Sequence, residues 1–229
     1  MSWIYVTEAG AKLGFRQGKY VISRENEIVA EVPSEVVEGV TVIDAVQVSS
    51  HAIVDFLKRD IPVTWLSTEG KFFGRLESTS AQDMSRVKEQ FDFLDDEKLC
   101  VDLAKLVVFR KVYNQRAILR NYNRRAESPR VKAAYDQMRI LADKLHGAQT
   151  VDEVMGYEGA MARVYFQVLS EFLPPAFHFE KRTKRPPTDC FNSMLSFGYT
   201  LLMYDFYTAI TRTRLSPYIG FLHALKDGH

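Results

Sequence analysis

The sequence predicts an α+β protein, with a small, mostly β N-terminal domain followed by a larger all-α C-terminal domain. Three observations predict it. Short β-branched or aromatic runs fill residues 1–77 and are separated by Gly, Asn and Pro. A polar stretch, ESTSAQDMSR, then lacks apolar periodicity. Beyond it the apolar period is helical. The expected domains are 1–78 and 88–229, joined by a linker over 79–87. The 229 residues leave room for one large domain or two smaller ones.

Taken in order, WIYV, KYVIS, EIVAEV and VTVI read as strands. SSHAIVDFLKRD reads as a helix capped by Ser49 or Ser50. IPVTWLS returns as a strand, and TEGKFFGRL as a turn with a further strand. DDEKLCVDLAKLVVFRKVYNQRAILRNYNRR predicts one long helix. Along it Arg116, Arg120 and Arg124 share a face, either a solvated basic face or a phosphate-facing stripe. Thr150 to Glu153 form a capping box that opens a short helix. CFNSMLSFGYTLLMYDFYTAI is apolar on nearly all sides, which predicts a helix in the middle of the helical domain. Ser216–Pro217 predicts the start of a last helix.

Composition narrows the classes. Two cysteines, Cys100 and Cys190, make neither a disulfide framework nor a zinc site. The N-terminus lacks the layout of a signal peptide, and the most apolar run is short for a membrane span and holds Asp205. A cytoplasmic, reducing environment and no membrane partner are expected. The net charge of +1 hides an asymmetry. Residues 1–80 carry 8 basic and 11 acidic side chains, and the rest carries 22 and 18. Lys105 to Lys144 alone holds 11 basic against 3 acidic residues. A polyanionic partner would meet the second half.

Three features there carry chemistry. Met161, Val164, Tyr165, Val168 and Phe172 form one apolar stripe, and Glu158 projects into it while Arg163 falls opposite. A carboxylate on a buried face needs a partner, a proton or a cation. Near a helix start, water and the helix dipole can serve instead. Lys181, Arg182, Lys184 and Arg185 crowd a segment that Pro186 and Pro187 keep extended, which suits a phosphate backbone or a solvated loop. His223 follows the apolar run YIGFL and could be a satisfied core histidine or a ligand. Asn192 is a buried-polar candidate or a cap. These residues by themselves support a helical domain with a basic surface, joined to a small β domain.

YEGAMARVYF, RTKRPPTDCFNSMLSFGYTLL and SPYIGFLH occur in one order. With GVTVIDAVQVSSHAIVDFLKRDIPVTWLSTEGKFFGRL, they resemble the CRISPR-associated adaptation integrases, the Cas-one endonucleases of spacer acquisition. The resemblance implies a metal-dependent DNA enzyme. Glu158 and His223 would bind Mg²⁺ or Mn²⁺ and carry catalysis by phosphoryl transfer from a DNA 3′-hydroxyl. Lys181, Arg182, Lys184 and Arg185 would hold DNA, with Arg163, Asn192 and Tyr199 as further contacts. The implied partners are double-stranded DNA (protospacer and repeat), a second copy bound through the N-terminal domain, and the small Cas-two protein. The family's third acidic ligand is expected beyond residue 229, with Asp227 as a substitute. A non-catalytic DNA-binding scaffold of the same fold remains the alternative. A helical metabolic enzyme would predict a small-molecule pocket and no salt-dependent DNA affinity.

Overall fold

A computed structural model describes residues 2–78, 83–177, 179–184 and 186–223. It divides into two units. One comprises Met1–Asp83 with Ser196–Leu215, and the other Met84–Leu195 with Ser216–His229.

In the strand-rich unit, β1 (Ser2–Val6), β5 (Val37–Ile43), β7 (Val63–Leu66) and β8 (Phe72–Leu76) form one sheet in that order. The first three are parallel and β8 is antiparallel to β7. The second sheet runs β4 (Glu27–Pro33), β3 (Lys19–Arg24), β2 (Lys12–Arg16), β6 (Gln47–Val48). Two-residue turns close its hairpins. Gln17–Gly18 and Glu25–Asn26 take positive φ at both residues (49° and 74°, 50° and 69°), the twist that tight hairpins require. The β2 strand was missed in the sequence because Gly14 and two charged ends obscure its alternation.

Helix α1 (Ser50–Lys58) starts where Ser49 Oγ accepts the Ala52 N–H at 3.2 Å. Its inward face carries Ala52 and Phe56, both fully buried among Ile4, Val6, Leu13, Val40, Val42 and Val63. Burying Phe56 alone is worth about 1.5–3 kcal/mol. Tyr20 stacks on Phe56 at 4.5 Å, and its hydroxyl donates to Asp55 at 2.6 Å.

The helical unit holds α2 (Met84–Leu94), α3 (Glu97–Ala126), α4 (Pro129–Leu145) and α5 (Val151–Val168). The α2 helix begins inside the segment expected to be linker, since Met84 is already helical. Asp96 caps α3, and Val101, Ala104, Val108, Val112 and Leu119 make its buried stripe. Glu127 turns left-handed (φ 47°) and ends it. Ser128 caps α4, with Pro129 at its first position. Thr150 caps α5 by accepting the Glu153 N–H at 3.2 Å. The Glu153 carboxylate reaches back to the Gln149 N–H at 2.7 Å, one residue earlier than a standard capping box would place it. Gly156 and Gly159 do not break α5, which runs on as one helix.

Two expectations fail. The last long helix, α6 (Cys190–Arg212), does not lie in the middle of the helical domain. Residues 196–212 group with the strands, where Tyr204 is buried with Ile43 and Leu66, and Phe197 and Leu201 pack against them. Tyr204 stacks on Phe72 at 4.8 Å, and Arg75 lies over Tyr207 while donating to Thr208 Oγ1 at 2.8 Å. Met203 and Phe206, on other faces of α6, stay exposed, so its all-round apolarity did not mean all-round burial. Nor does a helix follow Ser216–Pro217: residues 216–223 form turns and bends. Here the Gln90 side chain grips Ser216, accepting its N–H at 2.7 Å and donating to its carbonyl at 3.1 Å. No described helix is long and apolar enough to cross a membrane.

Candidate functional site

On α5, Val154, Met161, Val164, Tyr165 and Val168 face the core. Glu158 follows Val154 by four residues and precedes Met161 by three, so it shares the helix face of that stripe. Its side chain is 29 % exposed, and its Oε1 accepts from the Nζ of Lys111. Lys111 comes from α3, next to buried Val112 and one turn from buried Val108. Glu158 therefore projects onto the apolar face as its spacing predicts, while its carboxylate stays within reach of water. The group is half-exposed and holds a cation. A Cβ added at Gly159 would meet nothing within 4 Å, so the helix surface at Gly159 itself is open.

His223 is exposed, which removes the satisfied core histidine from the two readings of this residue. Phe221 and Leu222 pack against the helical core, and Phe221 lies 6.4 Å from Phe93. The apolar run therefore anchors the segment and leaves His223 at the surface. No hydrogen bond joins His223 to Glu158 among the described residues, and those residues hold no group of three or more His, Cys, Asp or Glu placed as a metal site. Asp227 and Arg185 lie outside the described residues.

The basic segment is held from beneath by Asn192, the third residue of α6, which is fully buried. Its Oδ1 accepts from the Thr183 N–H at 2.9 Å and from Arg182 Nη1 at 3.0 Å. Its Nδ2 donates to the Lys181 carbonyl at 2.9 Å and to Asp189 Oδ2 at 2.5 Å. All the hydrogen-bonding capacity expected of a buried amide is engaged. Asn192 therefore positions the segment and does not face a ligand. Arg182 also turns inward, donating to the Thr183 and Asn192 carbonyls. Lys181 and Lys184 remain exposed and available to an anion. The Asn192 backbone N–H above all holds the Asp189 carboxyl below the usual range, so the anchor keeps its charge.

Arg163 is exposed on α5, away from its buried stripe. Tyr199 is 48 % exposed and belongs with the strand-rich unit, unlike the other candidates. The expected arginine face of α3 splits. Arg120 and Arg124 are exposed, whereas the Arg116 guanidinium lies 4.2 Å from the Tyr135 ring centre.

A cation fits Glu158, because the carboxylate already holds the Lys111 ammonium in the position of one. Oxygen and imidazole donors suit Mg²⁺ or Mn²⁺, the latter being more tolerant of nitrogen. Glu158 would be the oxygen donor of such a set, and His223, exposed on the segment after α6, would be the nitrogen donor. Lys111 escaped sequence reasoning. Nothing in its local pattern marks it, since its importance comes from the packing of α3 on α5.

The model of the family described as CRISPR associated protein Cas1 matches residues 4–229. The CRISPR-associated endonuclease Cas1 of Mycobacterium tuberculosis (strain H37Rv) is 32 % identical over 235 aligned positions, covering 100 % of this chain and 67 % of that protein. A Cas1 protein from Thermotoga maritima superposes with a TM-score of 0.77 at 24 % identity, over 99 % of this chain and 70 % of that one. A chain of a Cas6-RT-Cas1–Cas2 complex gives 0.80 at 25 % identity, over 100 % of this chain and 25 % of that one.

Proposed function

The chain belongs to the CRISPR-associated Cas1 family, and from that membership we propose that it is a divalent-metal-dependent DNA endonuclease and integrase of spacer acquisition. The observation that carries the reading is the half-exposed Glu158 carboxylate, already occupied by a cationic group. Glu158 and His223 would hold Mg²⁺ or Mn²⁺. When bound, the cation supplies Lewis-acid activation of a DNA 3′-hydroxyl and stabilises charge on the transferring phosphate. The chain's own residues do the rest. Lys181 and Lys184 hold DNA phosphates, with Arg185 as their neighbour in the sequence. Asn192 and Arg182 hold that segment in place through their hydrogen bonds to it. Arg163 and Tyr199 are exposed and serve as outer DNA contacts.

The same reading gives the partners. Relatives are named as endonucleases, and one structural neighbour is part of an assembly with Cas2. Double-stranded DNA, the Cas2 protein and a second copy bound through residues 1–78 are the proposed partners, in the cytoplasm. The strand-transfer assay on a repeat-containing duplex with Mn²⁺ tests the reading. Glu158→Gln should abolish joining while leaving DNA affinity within about twofold, because the carboxylate is not a phosphate contact. Equal joining by Glu158→Gln would sink the catalytic assignment. DNA binding without joining in the unaltered protein would leave a scaffold of the same fold.

A further inference from the structure

We propose that Lys111 is a resident cation of the Glu158 site, holding the carboxylate until a divalent ion displaces it and so setting how readily the site loads. The inference rests on the metal reading of Glu158. Its basis is the ion pair between α3 and α5, whose side chains are 43 % and 29 % exposed. Val108 and Val112 fix the α3 backbone on one side, and Val154 and Met161 fix α5 on the other. The two charged groups therefore meet at the border of a packed core, each free to move only beyond its own backbone.

The chemistry of the pair makes it displaceable. A half-exposed ion pair is weak, because water competes for both partners. A lysine ammonium is a compact point charge on a flexible stem and can swing away without disturbing the helix. A divalent ion carries twice its charge and takes oxygen atoms directly as ligands, whereas an ammonium only donates hydrogen bonds to them. The partial exposure of the Glu158 carboxylate leaves it within reach of an ion from solvent. Until that happens, Lys111 prevents an uncompensated carboxylate at the edge of the core. An arginine in its place would behave differently, since its planar fork can hold both carboxylate oxygens at once.

The test is Mn²⁺ titration of the whole protein, followed by the electron paramagnetic resonance signal of free Mn²⁺ at fixed pH and salt. Lys111→Met and Lys111→Gln should each tighten Kd about twofold to fivefold, the range set by losing a weak competing pair. Lys111→Arg should weaken it. Opposite signs for loss of the cation and for its replacement by a better carboxylate partner would not arise from a merely structural lysine. Unchanged or weaker binding in both neutral variants, with normal melting curves, overturns the proposal. Glu158→Gln separates this from failure of its premise. If that variant binds Mn²⁺ as well as the unaltered protein, Glu158 is not a ligand and Lys111 has no ion to yield to.

Discussion

A single absent methyl group fixes how β1 meets β5. The Trp3 indole lies over Gly39, where an added Cβ would come within 2.4 Å of the ring, and its Nε1 donates to Thr41 Oγ1 at 2.9 Å. Gly39→Ala should push the indole off β5, break that bond and cost about 1–3 kcal/mol, read by denaturant unfolding. An unaltered midpoint would mean that the ring moves aside freely. Asp205 makes the complementary case on α6. Burial pushes its carboxyl above the usual carboxylate range, so the folded state disfavours its charge. The sign follows from linkage: a raised folded pKa costs stability at neutral pH, and the cost is relieved as pH falls through that pKa. Asp205→Asn should therefore melt higher than the unaltered protein at pH 7. The gap should close toward pH 4, near the carboxyl's ordinary value. A gap that is constant with pH would assign the effect to packing.

At the scale of elements, local signals were legible and long-range ones were not. Ser49 and Thr150 announce their helices because a cap is chemistry between residues two or three apart. The long α3 was readable because its period persists for 30 residues. The placement of α6 was not readable, because apolar residues on all sides do not say which neighbour will cover them. His223 misled for a related reason: Phe221 and Leu222 supply the burial that its neighbours suggested for the imidazole itself. Glu158 was legible as a carboxylate projecting into an apolar stripe, but Lys111, 47 positions away, has no signature in the sequence. Asn192 was singled out as buried and polar, yet only the fold shows that it ties the basic segment to the start of α6. Asn192→Ala should leave the Thr183 N–H and the Lys181 carbonyl without that partner and cost about 2–4 kcal/mol. It should also weaken DNA binding with Lys181 and Lys184 intact, since a loosened segment must be ordered on binding. Unaltered stability and affinity together would remove the positioning role.

For the whole molecule the decisive quantity is how charge divides between the two units. Moving residues 196–215 to the strand-rich unit leaves that unit with 10 basic and 13 acidic residues, and the helical one with 20 and 16. The asymmetry seen in the linear sequence thus survives the regrouping, because residues 196–215 bring only Arg212, Arg214 and Asp205 across. On the proposed function a polyanion would meet the helical unit, where Lys181 and Lys184 stand exposed on a segment tied down by Asn192. Each lysine that neutralises a phosphate releases a counterion and adds about 0.9 to the slope of log affinity against log salt. Replacing both Lys181 and Lys184 by Gln should lower the magnitude of that slope by about 2. Replacing exposed Lys12 and Lys58 of the acidic unit should leave it unaltered. Measured by fluorescence anisotropy on one duplex across a salt series, the two double variants separate the possibilities. A loss confined to Lys181 and Lys184 places the phosphate backbone along the helical unit. An equal loss from Lys12 and Lys58 would bring DNA onto the strand-rich unit despite its negative charge, and local geometry would then outweigh the overall field.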